Sequence, residues 1–174
     1  MTDRFAHRLK LDQIRDSERV ELLADDSERK AIAGRLGLDS LDCLQAHATL
    51  TRKGALVEAD GRIVAALTQS CVVTGEPVPA HVDEPFSLVF MPEPQAGRSD
   101  EEVELGSADC DVVFYDGGTV DLGTAIADTL ALSLDPYPRS AGADAVLKEA
   151  GVLSEAEAGP FAALARLKKG SDAS

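Results

Sequence analysis

With 174 residues, 44% of them hydrophobic, and a mean hydropathy of -0.07, the chain has the length and apolar content for one domain with a sizeable core. Aromatic residues make up only 4% and tryptophan is absent, so the core is aliphatic and base stacking is disfavoured as the main mode of partner contact. A formal charge of -14 and a pI near 4.5 disfavour non-specific binding to phosphate backbones, leaving a restricted basic face or, more easily, a basic protein partner.

At the N-terminal end, Phe5, His7, Leu9 and Leu11 alternate with Ala6, Arg8 and Lys10, and Val20 to Leu23 form a second apolar run, so two short strands are expected. No signal-like apolar run is seen there and no window approaches a membrane span, which places the protein in the cytoplasm. A short helix follows, with Asp25, Asp26 or Ser27 as N-cap candidates, Ile32 and Leu36 on one face, and Gly37 as its stop. Residues 41–90 then read as β-strands, with Asp60-Gly61 as the expected two-residue hairpin turn. Val78, Ala80 and Val82, and then Phe86, Leu88 and Phe90, sit at period two around Asp83-Glu84-Pro85, where the proline predicts a break or bulge.

Residues 76–116 hold 11 Asp or Glu against one Arg, whereas residues 1–38 balance 8 acids with 8 bases. The segment at about 91–111, dense in acids, Pro and Gly, is expected to be a mobile acidic loop, because it offers little apolar surface to offset ordering entropy. Val112 to Tyr115 predict a strand. A longer helix is predicted at about 121–134, capped by Asp121, with Leu122, Ile126, Leu130 and Leu134 at strict i, i+4 spacing and Pro136 and Pro138 beyond its end. Residues 141–174 read as a weakly structured extension ending in a short amphipathic basic tail.

Little in the pattern points to catalysis. His7, His47 and His81 lie in predicted strands without a nucleophile motif, and the paired carboxylates fall mainly in the acidic segment. Glycine-rich phosphate loops are absent. The odd set Cys43, Cys71 and Cys110 fits reduced thiols rather than a disulfide framework. Cys71 has Cys-x-x-Cys spacing with Thr74 in the second position and no second knuckle, so it reads as a buried or half-buried thiol at a turn made by Thr74, Gly75, Glu76 and Pro77. Nothing adjacent in sequence supplies the cations or helix N-terminus that would depress its pKa. No metal, cofactor or catalytic residue is expected.

Three segments in order, "SCVVTGEPVPAHVDEPFSLVF", "VDLGTAIADTLALSLDPYP" and "GPFAALARLKK", separated by the acidic insertion, resemble the YceD family, the large ribosomal RNA subunit accumulation proteins, in the form found in alphaproteobacteria. The resemblance runs roughly from residue 40 to residue 170. Where many members read Cys-x-Arg-Cys, this chain has Cys71, Val73 in place of the Arg, and Thr74 in place of the second cysteine; Glu76 and Pro77 complete the turn. The family ending of Asn-Pro-Phe-Ala type is matched through Pro160, Phe161 and Ala162, with Gly159 replacing the Asn.

The resemblance implies a non-enzymatic factor supporting accumulation or processing of large-subunit ribosomal RNA, touching that RNA or its precursor directly or indirectly. Alternatives are an acidic chaperone or adaptor for a basic ribosomal protein, and an RNA-processing enzyme. Partner contacts are expected at Arg52, Lys53 and Arg62 near the hairpin and at Pro160, Phe161, Leu164, Arg166, Lys168 and Lys169 in the tail. The fold expected is α+β: a single domain over 1–140 with a mainly antiparallel twisted sheet, its closure into a partial barrel left open, and both helices packed on it.

Overall fold

The computed structural model describes residue 5, residues 7–93 and residues 111–152. Its elements run β1 Arg8–Lys10, β2 Glu18–Leu23, α1 Asp26–Leu36, β3 Ser40–Lys53, β4 Leu56–Ser70, β5 Pro77–Pro92, β6 Asp111–Tyr115, β7 Thr119–Asp121, α2 Leu122–Ser133 and α3 Ala143–Glu149. The architecture is α+β. A five-stranded sheet has the order β2-β3-β4-β5-β6, and β1 pairs antiparallel with β7 in a separate two-stranded sheet. Among the described residues the large sheet is open, with β2 and β6 at its edges and no closure into a barrel. β2–β3 and β3–β4 are antiparallel, whereas β6 lies parallel to β5.

By contacts the chain divides into two compact units, one of Met1–Gln69 with Pro79–Pro136, the other of Ser70–Val78 with Tyr137–Ser174. The first unit holds the main core. Leu44, Leu50, Val57, Ile63, Leu122, Ile126 and Leu130 are fully buried in one cluster with Phe86, Leu88 and Phe90. Each such side chain contributes about 1.5–3 kcal/mol through removal of apolar surface from water. The period of two along β3 and β4, buried at Leu44, Ala46, Ala48 and Leu50 and at Val57, Ala59, Ile63, Ala65 and Leu67, turns one face of the sheet toward that cluster.

Both helices of this unit are set by their caps. Asp25 caps α1 by accepting from the Glu28 N–H (2.8 Å), Glu28 reaches back to the Asp25 N–H (2.7 Å), and Gly37 ends the helix at φ +66°. Asp121 caps α2 by accepting from the Thr124 N–H at 3.0 Å.

Two local expectations are corrected. The β3–β4 hairpin turns at Gly54-Ala55, where Gly54 takes φ +65°, and Asp60-Gly61 lies inside β4 opposite Thr49 and Ala48. Gly61 answers a close approach rather than a turn: a Cβ there would collide with the His47 carbonyl oxygen and stand 2.9 Å from Ala48 Cα and 2.8 Å from Phe86 Cζ. The strand at Asp83-Glu84-Pro85 is not broken, since β5 runs from Pro77 to Pro92, and three consecutive exposed residues there interrupt the alternation. Of the acidic segment, residues 91–92 belong to β5 and residue 111 opens β6, and residues 94–110 lie outside the described residues.

Candidate functional site

The turn at Cys71 to Pro77 belongs to the second unit, where it is joined to the segment that follows Tyr137. Gly75, at φ +73°, lets the chain reverse: its N–H donates to the Cys71 carbonyl (2.9 Å), and the Cys71 N–H donates to the Glu76 carbonyl (2.8 Å). This fold-back turns the Cys71 side chain inward to 3% exposure. The Val72 N–H then donates to the carbonyl of Pro138 (2.9 Å), bringing Ser140 onto the sulfur.

Cys71 Sγ accepts the backbone N–H of Ser140 at 3.2 Å and that of Thr74 at 3.4 Å. The two hydroxyls lie 3.2 Å apart, and each reaches the Glu76 carboxylate, Thr74 Oγ1 at 3.0 Å and Ser140 Oγ at 2.7 Å. Burial pushes the Cys71 thiol up, but the donors on Thr74 and Ser140 outweigh it and draw the pKa from the ordinary 9.0 down to about 6. The Ser140 hydroxyl, and then that of Thr74, hold Glu76 below the usual carboxylate range. The arrangement stabilises an anionic sulfur without a cation, and it clasps two segments 69 residues apart.

The sequence reading of Cys71 as a buried thiol at a turn holds, but the expectation of no pKa depression fails: hydrogen bonds from Thr74, inside the turn itself, and then from Ser140, remote in sequence, lower it without a cation or a helix N-terminus. Nothing local in "YPRSAG" marks that serine; the only pointer is the proline pair that stops α2 and redirects the chain. Pro77 is exposed and opens β5. Among the described residues no group of three His, Cys, Asp or Glu is placed to hold a metal ion.

The bases expected to contact partners do not converge. Arg52 and Lys53 sit beside the hairpin turn, whereas Arg62 pairs with His47 six residues beyond Leu56, about 20 Å along the strand. Each is already engaged: Arg52 donates to the Leu11 and Gly54 carbonyls, Lys53 pairs with Glu58 at 2.8 Å, and Arg62 pairs with Asp83. Pro160, Phe161, Leu164, Arg166, Lys168 and Lys169 lie outside the described residues.

Fold and turn together define an open-sheet α+β protein with a second unit clasped around a buried thiol. The chain belongs to the YceD family: the family model described as "Large ribosomal RNA subunit accumulation protein YceD" matches residues 59–168, more than half of the sequence. No curated protein and no solved structure gives a significant match. The family's name ties it to accumulation of large-subunit ribosomal RNA. Among the described residues no helix is long and apolar enough to cross a membrane.

Proposed function

We propose that the chain supports accumulation of large-subunit ribosomal RNA without catalysis, by holding a basic protein component of the assembling subunit. Family membership supports the ribosomal role. The observation that carries the mode of action is the engagement of Arg52, Lys53 and Arg62 by carbonyls or carboxylates of the chain itself, on a protein of net charge -14. A phosphate backbone would have to displace those partners against the overall field, whereas a cationic protein is attracted by it.

The test is ultraviolet crosslinking of the tagged chain in growing cells, read together with the proteins that co-purify. The expected result is few direct RNA crosslinks, recovery of basic ribosomal proteins, and their release as salt is raised. Discrete crosslinks to large-subunit RNA, with no basic protein recovered, would replace this mode with direct RNA docking. Normal levels of large-subunit RNA in cells lacking the chain would remove the ribosomal role itself.

A further inference from the structure

Asp-Gly occurs twice in the sequence, at Asp60-Gly61 and at Asp116-Gly117. The dipeptide carries a latent reaction: with no side chain on the second residue to obstruct it, the glycine nitrogen can reach the aspartate carboxyl carbon and close a five-membered imide. Reaching it takes a backbone free to bring nitrogen and carboxyl together, so the fold decides which of the two pairs can react.

At Asp116-Gly117 the two groups already touch. Both residues are exposed, and they lie between the end of β6 at Tyr115 and the start of β7 at Thr119. The Gly117 N–H donates to Asp116 Oδ1 at 2.6 Å, so once that proton leaves, the nitrogen lone pair is aimed at the carboxyl group it must attack. A Cβ built on Gly117 would meet nothing within 4 Å, which leaves room for ring closure, and the bond that closes the turn, from the Thr119 N–H to the Asp116 carbonyl, is long at 3.5 Å.

Asp60-Gly61 is held in the opposite arrangement. Asp60 pairs with Thr49 and Gly61 with Ala48 inside the β3–β4 ladder, and the Asp60 carboxylate is drawn across to the Ser87 hydroxyl, which donates to Oδ1 at 2.7 Å. Gly61 has no freedom to rearrange, since its backbone lies against the His47 carbonyl and Ala48. Bringing its nitrogen onto the Asp60 carboxyl requires leaving the ladder.

We infer that Asp116 is a site of spontaneous isomerisation to isoaspartate, and that Asp60 is protected from the same reaction by the sheet. A bond forms between the Gly117 nitrogen and Asp116 Cγ, and the amide proton and one carboxyl oxygen depart as water. Solvent water then reopens the ring. Cleavage at Cγ restores aspartate, whereas cleavage at the backbone carbonyl leaves the chain running through Cβ and Cγ, with the former backbone carbon as a free α-carboxylate. The water lost equals the water gained, so no oxidant, reductant or co-reactant is needed. The product lengthens the main chain by one carbon where β6 passes into β7, whose last residue, Asp121, caps α2. Its new α-carboxylate is the group that a carboxyl methyltransferase esterifies from a sulfonium methyl donor. The inference is independent of the basic-partner reading.

The test incubates the full chain, folded or in guanidinium, in water enriched in oxygen-18, because each passage through the imide leaves one solvent oxygen in the carboxylate. Electron-transfer fragmentation assigns that oxygen, and the isoaspartyl linkage, to individual residues. In the folded chain Asp116 should exchange about tenfold or more faster than Asp60, and in guanidinium the two should come within about threefold, because unfolding removes the ladder that protects Asp60. Asp116→Glu, which keeps the charge and would need a larger ring, should abolish the methyl groups that a purified isoaspartyl methyltransferase transfers to the aged, folded chain. Equal rates at the two sites in the folded chain, protection of Asp116 as strong as that of Asp60, or methyl incorporation undiminished by Asp116→Glu would overturn the proposal.

Discussion

Cys71 shows how a single atom can be tuned from two segments at once, by Thr74 in its own turn and by Ser140, 69 residues away. Its folded pKa of about 6 lies below the ordinary thiol value of 9.0, so between these the folded chain holds a thiolate where the unfolded chain still holds a proton. The unfolded state then binds more protons, and stability rises with pH across that window, being fully present above about 9 and lost as pH falls through 6. The denaturation midpoint of the native chain, measured relative to Cys71→Ala, should therefore climb from pH 6 to pH 9; a flat difference would mean the sulfur stays protonated. Difference absorbance at 240 nm between the two proteins should report the thiolate directly, with a midpoint near 6. The turn itself was legible in the sequence, since Gly75 and Pro77 are turn residues, but its partner was not: hydrogen bonding across 69 residues leaves no local trace.

Elements were legible where one periodicity and one cap agreed. α2 has Leu122, Ile126 and Leu130 on one buried face, Asp121 at its start and Pro136 beyond its end, and every signal points the same way. Leu130→Asp places an unpaired charge where exposure is 0%, and no folded protein should remain by near-ultraviolet circular dichroism. The hairpin was misread because Asp-Gly is a strong local turn signal, yet in β4 the glycine is demanded by the neighbouring backbone of β3. Gly61→Ala must push β3 or Phe86 aside and should cost about 1–3 kcal/mol in denaturant unfolding, because its methyl group points into backbone rather than into a yielding side chain. An unchanged midpoint would show that the two strands can separate without loss. The parallel placement of β6 was equally hidden, since strand direction depends on how a crossover returns and not on the strand's own residues.

For the molecule as a whole, the dominant quantity is charge. At -14 the chain repels itself, and the described ion pairs, such as Lys53 with Glu58 and Arg62 with Asp83, sit at exposed or half-exposed positions where each contributes little. Raising ionic strength from 0.01 to 0.15 M shortens the Debye length from about 30 to about 8 Å, so screening of the net repulsion should outweigh weakening of the pairs. The thermal midpoint should rise over that interval; a fall would mean that surface pairing stabilises the fold more than net charge strains it. Net charge is legible in composition alone, because it is a sum over residues and needs no fold. The distribution of the bases was not, because Arg52, Lys53 and Arg62 look free in the sequence and meet their carbonyl and carboxylate partners only through sheet register and tertiary contact.

The turn at Gly54-Ala55 has a consequence in time. It joins two of the longest strands through a connection of only two residues, and from Lys53↔Leu56 outward their pairs form in sequence, each closing a loop only slightly longer than the last. Pairing of β5 with β6 must instead await chain from beyond residue 110. The β3–β4 hairpin is thus the natural nucleus of the first unit, and Gly54→Ala, which forces a side chain into the left-handed region at φ +65°, should slow refolding while leaving the unfolding rate nearly unchanged in stopped-flow chevrons. A faster unfolding limb with unaltered refolding would move the nucleus elsewhere in the sheet.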